Sequence, residues 1–514
     1  MSFILDFALA LLPIIWLLLS LGVLKLPAWK SAFIALLFSM AIAYGFFFMS
    51  FNLMSQAALE GVVLALFPIV WVVFSALFLY RISVNSGGMD VIRRMLTGLS
   101  PDRRIQTLIL AFAFGGFLEA VAGFGTAVAI PAGIMIAMGF EPLLAATLCL
   151  MANTIPVAFG VIGVPIITLA QITNLPENPL SLFASLQLLP LVLILPLLLV
   201  AIVTRSVKAS LAVAFPCVVS GAVFGTLQCV TAWYLGPEMP AVIGSLGALL
   251  SLIALVKFFP PKKTWLFPNE SPQSSRSAQG AETHSDGPTV ILRAWSPFLL
   301  ILFFIVATRT FPFLSFLSHE PFVVKRQFYF GPGGKALVFP LATSSGTILF
   351  VSAGLGAMLL RMDLPALGRA LRETFGMAFK SIITIIAIVA MSKMMAYSGM
   401  IGAIATVFSM AGPAFPFLSP TIGALGTFLT GSDTSSNVLF GALQKTTAEN
   451  LDLRVDWIVA SNAAGATAGK MISPQSIAIA ASSTGLGGEE GELLRRTLPW
   501  CGAYVAALGL IVGL

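Results

Sequence analysis

Charge is what this sequence has least of. Only 10% of its 514 residues are Asp, Glu, Lys or Arg while 58% are hydrophobic, and soluble domains average about a quarter charged residues. A water-soluble fold is therefore excluded. Histidine is scarcer still. His284 and His319 both fall in polar connections, which leaves no imidazole at membrane depth for catalysis or for haem or metal ligation. The four cysteines, Cys149, Cys217, Cys229 and Cys501, lie inside apolar runs without metal-ligand spacing, so neither a disulfide framework nor a zinc site is indicated. Lacking a nucleophile with its base and lacking a metal cluster, the chain does not read as an enzyme.

What is present is a succession of apolar stretches of about 20 residues, the length a helix needs to cross the hydrocarbon core. Barrel strands alternate apolar and polar residues, and these runs are continuous, so the expected fold is an all-α polytopic membrane protein. Twelve spans are expected at about 7–24, 31–50, 57–80, 142–172, 181–204, 209–232, 238–258, 294–312, 337–360, 374–398, 457–484 and 497–514. Two further regions, 105–139 and 400–442, are apolar but broken by Gly and Pro, and each reads as a re-entrant hairpin. The first run, Phe7 to Leu24, lacks a basic leader and a small-residue cleavage site and reads as a retained helix.

The net charge of +7 would suit nucleic acid, but in a membrane chain basic residues report orientation. With an external N-terminus, one set of connections carries 19 Lys and Arg and the other carries 5. Both termini are therefore expected to be non-cytoplasmic, and the partner is the lipid bilayer, with no role for nucleic acid. The stretch Asn269–Pro288 is polar, rich in Ser and free of periodicity, which predicts a disordered cytoplasmic linker.

Self-similarity organises the rest. Asn153 and Asn462 are offset by 309 positions, Pro165 and Pro474 by the same 309, and Phe117 and Phe428 by 311. Residues 1–208 and 294–514 then form two repeats, joined by helices and the linker at 209–293. Each repeat has three spans, a hairpin, a broken span (142–172 or 457–484) and one more span. Under the charge-based topology the repeats start on opposite sides and are inverted. Breaks at matching positions are tolerated at membrane depth where they line a shared cavity, and helix N-termini exposed there suit an anion. The bland alternative is that the glycines serve packing, as Gly465 and Gly469 in G-x-x-x-G would.

Four segments carry a resemblance: Phe117-Leu-Glu-Ala-Val-Ala-Gly-Phe-Gly125, Ala152-Asn-Thr-Ile-Pro-Val-Ala-Phe-Gly160, Gly431-Ser-Asp-Thr-Ser-Ser-Asn437 and Gly469-Lys-Met-Ile-Ser-Pro-Gln-Ser476. Together they resemble the bacterial L-lactate permease family over nearly the whole chain. The resemblance implies a proton-coupled symporter of L-lactate and related 2-hydroxy monocarboxylates such as glycolate, with D-lactate possible, in the bacterial cytoplasmic membrane. It also implies paired hairpins and elevator-like movement. A sodium-coupled carboxylate transporter is the closest rival, because unwound carbonyls and a Ser/Thr/Asn-rich hairpin hold Na⁺ equally well. A passive anion channel is less compatible with inverted broken helices. No cofactor beyond the coupling ion and no metal is expected, and nothing in the sequence marks an oligomeric interface.

Two hairpin acids are the candidates for proton coupling, Glu119 and Asp433. Glu119 has Leu118, Ala120 and Val121 beside it and Phe114, Phe117 and Phe124 near it, an apolar setting suited to taking up and releasing a proton. Asp433 has Ser432, Thr434, Ser435, Ser436 and Asn437 beside it, which suits a permanent anion that orients substrate. A structural partner role is the alternative for both. Substrate contacts are expected from Lys393 and Lys470, which offer a cation to a carboxylate, and from Asn153, Thr154, Ser435, Asn437, Ser461 and Asn462, which offer short donors and acceptors. Backbone capping is the alternative for these polar side chains. Lys380, near a cytoplasmic end, is expected to snorkel.

The topology is open to a direct check. Cysteines introduced at Ser277 and Glu177 are expected to label from opposite faces, Ser277 from the cytoplasm; labelling of both from outside the cell overturns the orientation and the inversion together.

Overall fold

The computed structural model describes all residues except 1, 2, 25, 124, 262, 268, 269, 271–285, 312, 313, 315, 318 and 488. Among the described residues the chain is helical apart from one antiparallel pair of strands, Val323–Arg326 and Leu337–Pro340. Twelve described helices are long and apolar enough to cross a membrane. Their membership differs from the twelve expected spans. Arg103–Val121, the first arm of the first hairpin, and Met400–Thr430 are among them, whereas Ser345–Leu359 is a shorter apolar helix.

The order of elements recurs. Phe51–Asn85 is followed by a short helix (Gly88–Thr97), hairpin arms (Arg103–Val121 and Thr126–Ala137), an interrupted span (Pro142–Ala152, then Gly160–Thr173) and Glu177–Thr204. In the second half Leu364–Ser398 is followed by Met400–Phe408, hairpin arms Phe415–Thr430 and Asp433–Asn450, the interrupted pair Val455–Ile472 and Pro474–Thr484, and Glu490–Gly513. Leu364–Ser398 is one helix of 35 residues, roughly 50 Å at 1.5 Å per residue, well beyond a hydrocarbon core of about 30 Å, whereas the equally long stretch Phe51–Asn85 is kinked by extended backbone at Phe67 (φ −139°, ψ 123°) before Pro68. They pack on one another, and the backbone of Ala390 fills the place a side chain would take at Gly61.

Three boundaries need correction. The expected hairpin 400–442 is two separate features, because Gly412 (φ 54°, ψ −132°) and Pro413 break the chain between Met400–Phe408 and the first arm at Phe415. The true hairpin turns at Gly431 (φ 70°) and its second arm runs on to Asn450. The expected span 337–360 begins as a strand: Val324 pairs with Phe339 and Arg326 with Leu337, and the helix starts only where Ser344 caps it by accepting the Thr347 N–H. The helix expected at 294 begins at Pro288, and most of the expected linker Asn269–Pro288 lies outside the described residues.

The glycines of the second interrupted span do the packing work foreseen as the bland alternative. A side chain at Gly465 would meet the Pro420 carbonyl and one at Gly469 the Ala424 carbonyl; across the same seam Gly423 faces the Asn462 carbonyl. Phe415–Thr430 and Val455–Ile472 thus lie backbone to backbone, the approach that small residues permit between membrane helices. Gly465→Ala should destabilise by about 1–3 kcal/mol and lower the apparent melting temperature in detergent, while Gly354→Ala, which has open space beside it, should leave it unchanged. Equal melting of the two variants contradicts this seam.

Candidate functional site

The hairpin tips and the interruptions converge on a cavity of about 300 Å³. Glu119 enters from the last turn before the first hairpin's tip. Thr430 to Ser435 supply the tip of the second hairpin, Lys470 and Gln475 flank the second interruption, and Val157, Gly160, Val161 and Pro165 belong to the first. The opposite wall is Lys380, Ser381 and Thr384 of Leu364–Ser398, with Pro27 to Trp29 beside them.

Local sequence explains the shape. The first interruption is wide: after Ala152 the chain turns through Asn153 to Ile155, makes a tight turn of helix at Pro156–Phe159, and carries Val161, Ile162 and Gly163 in left-handed conformation (φ 48°, 53° and 78°). For β-branched residues that geometry costs about 1–3 kcal/mol each, strain that persists only where the surroundings enforce it. Gly160 lets the Glu119 carboxyl come close: it lies 3.0 Å from where a Cβ would stand, so a side chain there would press on it. The second interruption is narrow, a single extended residue, Ser473 (ψ 137°), which caps Pro474–Thr484 through the Ser476 N–H. Ser432 caps the second hairpin arm in the same way, accepting from the Ser435 N–H at 3.3 Å, so Asp433 stands at the positive end of an 18-residue helix.

Three charges meet here. Glu119 and Asp433 are both 4% exposed, and Lys470 is the cation that acts on each. Lys470 also donates from Nζ to the Gly431 carbonyl at 2.7 Å, tying it to the second hairpin's tip. Both oxygens of Asp433 and Oε2 of Glu119 are buried without a hydrogen-bond partner among the described residues. The expectation that polar neighbours hold Asp433 as a satisfied anion is corrected: Ser436 donates to the Gly423 carbonyl, Asn437 to the Pro165 carbonyl, and Ser432 is spent on its cap. The polar run bonds backbone and leaves the carboxylate to the cavity.

The other expected contacts divide. Ser435 and Lys470 line the cavity with the two acids, and Asn153, which does not line it, lies close to the Glu119 carboxyl. Thr154 bonds the Met151 carbonyl. Asn437, Ser461 and Asn462 do not line the cavity; they build a buried relay in which Asn462 donates to Asn437 at 2.8 Å, Gln444 reaches Asn462 and Ser419, and Ser419 bonds Ser461. This relay and the Lys445 Nζ bond to the Thr173 carbonyl at 2.8 Å join the second hairpin to the first interrupted span.

Lys393 is not brought to the cavity. It pairs with Glu60 at 3.1 Å, both side chains being buried, and the Tyr397 hydroxyl donates to the same carboxylate at 2.6 Å. Glu60 is the residue that sequence reasoning passed over, although an acid inside an apolar run, 57–80, was the signal. Lys380 carries more than snorkelling predicts: with Ser381 and Thr384 it lines the cavity. Gln475 was within a noted motif without an assigned role.

Hairpins and interrupted helices around a charged cavity inside a helical membrane protein define a transport protein, and comparison with known proteins gives it a family. The family model for L-lactate permease matches residues 6–514, and the chain belongs to that family, one of permeases and not of enzymes. It is 39% identical to the L-lactate permease of Streptococcus iniae, with 88% of this chain and 93% of that one covered. To the glycolate permease GlcA of Escherichia coli K12 it is 36% identical over 98% of this chain and 94% of that one. To the L-lactate permease of Bacillus subtilis 168 it is 35% identical over 95% and 92%.

The Glu60 pair separates a structural lysine from a cavity lysine. Lys393→Met strands a buried carboxylate and should cost about 3–5 kcal/mol, whereas the double variant Glu60→Gln/Lys393→Met should recover much of that loss in thermal melting. A Lys393→Met protein that melts like the parent removes the structural assignment.

Proposed function

We propose that the protein carries L-lactate and related 2-hydroxy monocarboxylates such as glycolate across the bacterial cytoplasmic membrane, together with a proton. The observation that carries this reading is the balance among the cavity's less exposed charges: two buried acids, Glu119 and Asp433, with Lys470; the cavity's other lysine, Lys380, is exposed. With both acids ionised the set already holds one excess negative charge, and a carboxylate substrate would bring a second into a poorly solvated space. One proton taken up with the substrate removes that cost, which makes loading of anion and proton interdependent. Lys470 and the N-terminus of Asp433–Asn450 receive the substrate carboxylate, and Ser435 and Gln475 suit its hydroxyl. The relatives' names, permeases of L-lactate and of glycolate, agree in substrate class.

Glu119 remains the primary proton carrier in this proposal because its side chain sits on an apolar helix turn against Gly160, with Asp433 as the coupled second group. The two repeats are inverted, and the cavity opens beside Pro27 to Trp29 and Lys380, residues that the charge pattern assigns to the cytoplasmic side, so the described state faces inward. In this reading the wall formed by the hairpins moves past the wall formed by the long helix in an elevator-like manner. Both termini then lie outside.

The test is uptake by proteoliposomes under separately imposed pH and sodium gradients. Glu119→Gln should exchange lactate across the membrane and fail to accumulate it in response to an acidic exterior, and Lys470→Met should weaken lactate binding at least tenfold, about 1.4 kcal/mol. If Glu119→Gln and Asp433→Asn both still concentrate lactate when the exterior is acid, proton coupling through this pair is wrong. Accumulation driven by sodium alone would make the protein a sodium-coupled carboxylate carrier instead.

A further inference from the structure

A second cavity, of about 840 Å³, lies apart from the charged site. It opens beside the base of the first hairpin, among Val207–Leu211, the start of Ala214–Tyr234 and the segment that follows Pro240–Phe258. Its charged lining is wholly basic, Arg104, Lys208 and Lys263, with no acidic residue among the lining. Lys208 and Lys263 are exposed.

Arg104 is 3% exposed and fixed in place. Its Nε and Nη2 grip Asp102 at 3.0 and 2.6 Å, Nη2 also donates to the Lys263 carbonyl, and Nη1 donates to the Ala209 carbonyl at 2.8 Å. A guanidinium has five N–H donors, so one on Nη1 has no partner among the described residues. The rim is apolar: Phe215 is 59% and Phe259 65% exposed, edge to face at 6.1 Å. These rings sit where one span begins and another ends, the boundary between hydrocarbon and water.

We propose that this cavity binds the headgroup of an anionic phospholipid, with the phosphate held by Lys208, Lys263 and the spare Arg104 N–H and the acyl chains lying over Phe215 and Phe259. A free phosphate has no use for an aromatic rim facing lipid, and a choline headgroup brings a cation to a basic wall. Basic recesses between spans at a membrane surface recognise lipid phosphates in this way, and the first turn of Ala214–Tyr234 adds its positive end.

Trp265 lines the same cavity and reports on it. In full-length protein in detergent, phosphatidylglycerol with brominated chains should quench tryptophan emission saturably, and Trp265→Phe should remove that component. Lys208→Gln/Lys263→Gln should weaken the apparent affinity roughly tenfold or more, while Arg369→Gln/Arg372→Gln should bind like the parent. Raising salt from 50 to 500 mM should weaken binding to the parent protein, a measurement that stands even if the lysine variant is not monodisperse. Equal quenching by brominated phosphatidylcholine, displacement of the lipid by glycerol 3-phosphate alone, an unaltered lysine variant, an equal loss in the arginine variant, or salt-insensitive binding each overturns the proposal.

Discussion

An interrupted helix inside a bilayer leaves backbone groups that lipid cannot partner, and this constraint organises the molecule. The Pro165 carbonyl, in the helix that follows the first break, accepts from Asn437 of the second hairpin, and Asn437 in turn accepts from Asn462 of Val455–Ile472. The second half therefore supplies side-chain partners to the first interrupted span. These side chains are spent on backbone and on one another, and the unpartnered polar atoms near the meeting point include both oxygens of Asp433, Oε2 of Glu119 and Oδ1 of Asn153. Satisfying the breaks and exposing the acids are two results of one arrangement.

The same accounting separates the charges. A buried ion has to find a partner or a wet cavity, and among the buried lysine and carboxylates at depth both solutions occur. Lys393 and Glu60 neutralise one another between Leu364–Ser398 and Phe51–Leu64, with Tyr397 donating to the same carboxylate oxygen and Tyr329 stacked on Tyr397 at 3.8 Å. Glu119, Asp433 and Lys470 do not close on themselves, since Lys470 gives a hydrogen bond to a carbonyl and not to either acid. One group acts as a brace and the other as a place for chemistry.

Much of the fold was legible in the sequence because hydrocarbon imposes a simple rule on composition. Apolar length located most spans, Asn153 and Pro165 flank the first interruption and Pro474 opens the helix after the second, whereas Asn462, expected at a break, lies inside the unbroken helix Val455–Ile472. What failed was local. The second hairpin was started too early because Met400–Phe408 is as apolar as the arm after it, and only the backbone turn at Gly412 separates them. Strand Leu337–Pro340 reads as the start of a helix because its partner, Val323–Arg326, is distant enough that hydropathy cannot show the pairing. Among candidate site residues, the identities of Glu119, Asp433 and Lys470 were readable as charges at depth. Which lysine reaches which acid was not, since Glu60 and Lys393 are 333 positions apart in sequence.

The bond from Lys445 to the Thr173 carbonyl has a consequence for how the chain is made. Thr173 leaves the ribosome some 270 residues before its partner, and over that interval the end of the first interrupted span has no lysine to cap it. The early half must wait in the membrane, held by the insertion machinery, by water or by temporary contacts, until the late half arrives. Biogenesis of this protein is thus a two-stage event in which the centre is finished last, and a truncation after the first half would leave a segment whose interruption nothing closes.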